Sequence, residues 1–144
     1  MMIESWQVQN DLRARLLTIS WPSDAVVLAG NILEDFYQGR DFGYPAIRLD
    51  MRSFLADHDA DQCDITLVRF SLHCYGEGSS SLVADKVAGA CNNNLHKSQF
   101  LGTEYQIPRL RSDGLIAAER IDEKLWRATA MFSGNAYAGT TIAR

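Results

Sequence analysis

Val68-Arg69-Phe70-Ser71-Leu72-His73-Cys74-Tyr75 is the stretch that decides the fold class. Val68, Phe70, Leu72 and Cys74 fall on one side of an extended chain, and Arg69, Ser71 and His73 fall on the other. A period of two predicts a strand with one face in a core, placed over Asp64 to Tyr75. Ala46 to Phe54 reads the same way, with Ile47, Leu49 and Met51 alternating with Arg48, Asp50 and Arg52. The connection from Ala56 to Cys63 is a polar, aspartate-rich turn containing His58. It is too short for a crossover, so the two strands are expected to pair antiparallel.

Working outward, Leu125 to Ala136 is a further strand, with Trp126, Ala128, Ala130 and Phe132 opposed to Arg127, Thr129, Met131 and Ser133. Leu115 to Ile121 is a candidate strand before it, joined by the polar turn Asp122-Glu123-Lys124. Two helices complete the pattern. Val8, Leu12, Leu16 and Ile19 recur at helical spacing within Ser5 to Ser20, and Trp21-Pro22 stops that run. Val83, Val87, Ala90, Cys91 and Leu95 form an apolar stripe within Leu82 to Leu95. Ala25 to Leu28 is a candidate short strand, Glu34 to Tyr44 an irregular loop, and Pro108 restricts Ser98 to Gly114 to an edge strand or loop. The expected fold is α+β, a mainly antiparallel sheet of about four strands with two amphipathic helices on one face. Residues 1–144 are one domain, with 136–144 a flexible tail.

Composition narrows the function. The formal net charge of −4 argues against sequence-independent nucleic-acid binding, which needs a dominant positive surface, though it leaves room for a local basic stripe. No apolar run approaches a bilayer span of about 20 residues. The start of the chain has no secretory pattern, and an odd three cysteines do not make a disulfide framework. A reducing site of synthesis is expected.

No cofactor or metal is called for. His73 and Cys74 are adjacent on a strand and point to opposite faces, while Cys91 and His96 are poorly spaced for one metal. His58 and Cys63 share a loop but lack two more ligands. Cys74 and Cys91 lie on apolar faces, where thiols are inert. Asp57, Asp59, Asp61 and Asp64 alternate in one turn but lack the glycine and glutamate of an EF-hand loop. Gly76-Glu77-Gly78 lacks the third glycine of a dinucleotide loop. No acid, base and nucleophile converge, so an enzyme is not expected. The sheet face away from the core carries Arg48, Asp50, Arg52, Arg69, His73, Arg127 and Thr129, mixed with Ile65, Leu67 and Met131. It reads either as a wet face or as a protein–protein interface.

The order of these parts resembles the tail-terminator, or tail-completion, family of tailed bacteriophages. The resemblance rests on the opening helix, the aspartate-containing loop after it and Gly43-Tyr44-Pro45-Ala46-Ile47-Arg48-Leu49. It continues in the strand Val68 to Tyr75, which leads into the helix Leu82 to Leu95, and in the late strand Trp126 to Phe132. It spans most of residues 5–135, while Gln99 to Asp113 has no counterpart. It implies a non-enzymatic virion subunit without cofactors, assembled in the host cytoplasm. The subunit would form a hexameric ring that caps the tail tube and meets the tail tube protein and a head-completion or neck protein. No membrane or sequence-specific nucleic-acid partner is implied. The expected subunit contact uses Arg48, Arg52, Arg69 and Arg127 with Ile65 and Met131. Carboxylates of Asp57, Asp59, Asp61 or Asp122-Glu123 would answer them from a neighbour. Another head–tail connector, or a small enzyme or ligand-binding domain, is the alternative.

Overall fold

The computed structural model of the chain describes residues 3–34, 43–56, 65–102 and 104–138, with the backbone alone for 54–56 and 138. The deciding stretch is the middle of strand β3 (Ile65–Glu77), and the late strand is β7 (Leu125–Ala138). They pair antiparallel without interruption from Ile65↔Tyr137 to Glu77↔Leu125. Val68, Phe70, Leu72 and Cys74 on β3, with Ala128, Ala130 and Phe132 on β7, are all buried in one core. Phe70 and Phe132 stack at its centre, ring centroids 5.4 Å apart. Met51 and Trp126, also expected inward, are partly buried against the same core.

On the far side of β3 lies β2 (Ala46–Ala56), antiparallel as expected. Its register slips between Met51 and Ser53, so Ser53 rather than Arg52 sits opposite Arg69. The bulge keeps two guanidinium groups from facing each other across the ladder. A short strand, β1 (Ile32–Glu34), adds to β2 in parallel.

The expected sheet of about four mainly antiparallel strands is corrected here. Among the described residues, seven strands form one mixed, curled half-barrel in the order β1-β2-β3-β7-β5-β4, with β6 also on β7. Strand makes up about half of the described residues, about twice the usual share. The cause is the length of β7. Its second edge takes β6 (Arg111–Asp122) along Leu125 to Ser133, and then β5 (Tyr105–Ile107) at Tyr137 and Ala138. β5 in turn carries β4 (Phe100–Leu101). The segment read as edge strand or loop therefore holds two strands and the start of a third. Ala136 to Ala138, read as tail, belong to β7; residues 139–144 lie outside the described residues.

Two helices cover the core face. α1 (Ser5–Leu16) buries Val8, Leu12 and Leu16 and packs on β1 and β2. It ends four residues before the expected Ser20. The last turn tightens as Thr18 N–H donates to Arg15 O and Ile19 N–H to Leu16 O, yet Ile19 stays buried. Arg13 then fixes the next segment, donating to the carbonyls of Ile32 at 2.9 Å and Ala29 at 3.1 Å. Ala25 to Leu28 alternates buried and exposed but forms no strand; a 3-10 turn at Ala29–Asn31 leads instead into β1. α2 (Leu82–Leu95) holds the boundaries read from its stripe and packs on β3, β6 and β7. Among the described residues no helix is long and apolar enough to cross a membrane.

Gly76 is where α2 and the sheet come closest. A Cβ built there would lie 2.8 Å from the backbone nitrogen of Ala84 and 3.0 Å from Val83. Backbone cannot swing aside as a long side chain can, so Gly76→Ala forces α2 off β3. We expect a loss of about 1–3 kcal/mol, read as a lower urea midpoint with unchanged slope. A midpoint equal to wild type would show that α2 does not depend on this approach.

Candidate subunit interface on the second sheet face

The face of β2, β3 and β7 turned away from the helices is built in rows fixed by the register. One row runs Arg48, His73, Thr129 and then Ile116 of β6. The next holds Asp50, Ser71 and Met131, and another Ser53, Arg69, Ser133 and Arg111.

His73 and Thr129 of the first row form a hydrogen-bonded chain with Asp50. His73 Nε2 lies 3.1 Å from Asp50 Oδ2, and His73 Nδ1 lies 3.0 Å from Thr129 Oγ1. Asp50 Oδ2 also accepts from Arg52 Nε at 3.1 Å. An ionised carboxylate only accepts, so in the neutral imidazole that fits this geometry Nε2–H donates to Asp50 and Nδ1 accepts a hydrogen bond from the Thr129 hydroxyl. The order carboxylate, imidazole, hydroxyl is that of a nucleophilic relay. Thr129, however, is only 6% exposed, and its oxygen is spent on the imidazole. The chain joins three neighbouring strands, and that is what its geometry serves. No single stretch of sequence reveals it; it emerges only once β2, β3 and β7 are set in register.

The residues expected at a subunit contact are distributed as follows. Arg48 is 5% exposed and donates from Nη1 to the Glu34 carbonyl at 3.2 Å, so it is part of the fold's own packing. Arg52 is open to solvent beside Asp50. Arg69 is exposed, and Ile65 and Met131 are half-buried. Arg127 pairs with Glu119 of β6 at 2.9 Å, and that carboxylate holds its guanidinium protonated more firmly still. Asp57, Asp59, Asp61 and the rest of the aspartate turn, with His58 and Cys63, lie outside the described residues.

Sequence reasoning did not find the cleft at the end of this face. Where the chain leaves β5 and enters β6, Pro108, Arg109 and Arg111 line an open cleft of about 310 Å³ together with Leu67, Gly134, Asn135 and Tyr137. Gly134 lets the crossing chain lie close: a Cβ there would meet Ile107 at 2.6 Å and the Arg109 carbonyl at 3.4 Å.

No group of three or more metal-ligating side chains is found among the described residues. The two described thiols, Cys74 and Cys91, are buried on the core face. The Cys91 thiol beside it, and burial, push the Cys74 thiol well above its ordinary range.

No protein-family model matches the sequence, and no curated protein matches it. Among solved structures, the fold is similar to a chain of the virion of a native gene transfer agent particle. The TM-score is 0.72 at 13% identity, over 93% of this chain and 97% of that one. At that identity the likeness is one of fold.

Two measurements check this site. Thr129→Val keeps the side-chain shape but leaves His73 Nδ1 without its hydroxyl; a loss of about 1–3 kcal/mol is expected, and an unchanged denaturation midpoint would remove the relay from the account of stability. Cys74 and Cys91 should resist iodoacetamide at about pH 8 until the chain unfolds, because both thiols are buried out of the reagent's reach. Peptide mapping that finds either residue labelled at the rate of the unfolded chain would contradict their placement.

Proposed function

We propose that the chain is a structural protein of a phage-type virion, and within it the tail terminator. Identical subunits would form a hexameric ring that closes the tail tube and joins it to the head or neck. The observation that carries the reading is the fold likeness to a virion chain over nearly the whole of both molecules. The order of elements supports it: an opening helix, a strand pair, and a strand running directly into a helix. The partners on this reading are other copies of the chain, the tail tube protein and a head-completion or neck protein. No catalytic step and no cofactor is assigned.

The second face suits such a role. Arg52 and Arg69 are exposed there beside the half-buried Ile65 and Met131, the mixed composition of a contact surface. Arg48 is too buried for its replacement to report on assembly alone.

Electron microscopy of the finished particle tests the reading. The expected image is a ring of six copies at the junction of tail and head. Copies of the chain at another level of the neck would replace the terminator with a different connector. A particle without the chain would overturn the virion reading altogether.

A further inference from the structure

The hairpin formed by β6 and β7 ends in a tip of unusual composition. Ile121 is 43% exposed, and Asp122 and Glu123 follow it into a tight turn at Lys124. The tip is held in place. Glu123 N–H donates to Asp122 Oδ1 at 2.7 Å, Gly78 N–H to the Lys124 carbonyl at 2.9 Å, and Trp126 Nε1 to the Gly78 carbonyl at 3.0 Å. It is therefore an apolar side chain with two carboxylates beside it, presented on a fixed turn. Arg120 and Lys124 flank it, and Arg127 is occupied by Glu119.

The other end of the same hairpin carries the opposite chemistry. The cleft there is lined by the apolar Leu67 and Pro108, by Arg109 and Arg111, and by Asn135 and Tyr137 as further polar residues. Arg69 lies two strands from Arg111 in the same row, with Ser133 of β7 between them. The acidic neighbour, Asp113, accepts the Ser133 hydroxyl at 3.0 Å.

We propose that this cleft receives the Ile121-Asp122-Glu123 tip of a second copy of the chain, head to tail. The inference rests on the ring reading and names its contact. The chemistry agrees on both sides: two carboxylates would meet two arginines, whose forked donors suit them, while Ile121 would meet Leu67 and Pro108. A copy cannot fill its own cleft. Tip and cleft are separated by about ten residues of extended β7, roughly 30 Å, and β7 is held extended by β3 on one side and β6 on the other. The two surfaces differ, so the contact is heterologous, and repeated contacts of that kind close into a ring when the rotation permits. Because the tip is already ordered in the free chain, little conformational freedom is lost on docking.

A charge exchange tests it. One variant carries Arg109→Glu with Arg111→Glu. The other carries Asp122→Asn with Glu123→Lys, which keeps a side-chain oxygen for the turn. All four positions are exposed, and circular dichroism confirms that each variant folds. Rings are counted by electron microscopy in whichever setting forms them with wild type, purified protein or finished particle. Each variant alone should lose at least ten-fold in ring formation. An equimolar mixture should recover it, because copies then alternate with matched charges around an even-numbered ring. Rings of wild-type abundance from either variant alone, or no recovery in the mixture, would overturn the proposal while leaving the ring itself standing. Absence of any wild-type ring in both settings would remove the ring and this contact together. Binding of a short DNA duplex that is lost only in the arginine variant, with rings unaffected, would reassign the cleft to phosphate and also overturn the proposal.

Discussion

The unbroken ladder between β3 and β7 is the constraint on which the rest of the molecule depends. Thirteen residue pairs run in register from one end to the other, and strict alternation then commits every side chain on both strands. The even-numbered residues face the core and, Thr66 apart, are apolar; the odd-numbered ones are left to form the second face. A slip of one residue would put Phe70 and Phe132 into water and Arg69 into the core. The same ladder leaves the other edge of β7 free over its full length, and that edge recruits β6 and then β5. The curl of the sheet follows, since twisted strands added along one long edge turn the sheet on itself.

The long strands and both helices were legible because each repeats its period several times. Val68 to Cys74 and Trp126 to Phe132 needed nothing beyond alternation, and α2 needed only its stripe. The short strands were illegible for the opposite reason. Phe100-Leu101 and Ile32 to Glu34 contain at most one and a half periods, so nothing in them distinguishes strand from loop. They are strands because a longer neighbour offers an edge. Ala25 to Leu28 shows the converse: it alternates and forms no strand, since no described strand pairs with it. The bulge at Arg52 is likewise invisible until Arg69 is known to lie opposite.

The site divides along the same line. Composition marked the second face as mixed, and the residues named for it do share that face where the structure describes them. What composition could not supply was which charges are already used. Arg48 serves the fold by holding Glu34, Arg127 answers Glu119, and Asp50 is shared by His73 and Arg52. Cross-strand pairing satisfies most of the middle of this face internally. The charged groups left for another molecule are pushed to its ends, where the ladder runs out.

That distribution bears on how copies can associate. β6 is long, lies on the outer edge of β7 and exposes Leu115 and Ile116, the profile of a strand that invites edge-to-edge pairing. Its register with β7 breaks three times, between Ser112 and Gly114, Ile116 and Glu119, and Arg120 and Asp122. Each break displaces the outward-pointing amides from the spacing a further strand would need. The Ala118 amide is also taken by the Asp85 carboxylate at 2.9 Å. Sheet extension along this edge would in any case be open-ended, adding copies without a rule for stopping. The proposed contact, between a tip and a cleft at opposite ends of one hairpin, would instead fix both distance and rotation between neighbours, and it closes into a ring only where that rotation divides the circle. What β6 itself provides is a blunted edge: its three register breaks and the engaged Ala118 amide disfavour open-ended sheet extension along all twelve of its residues.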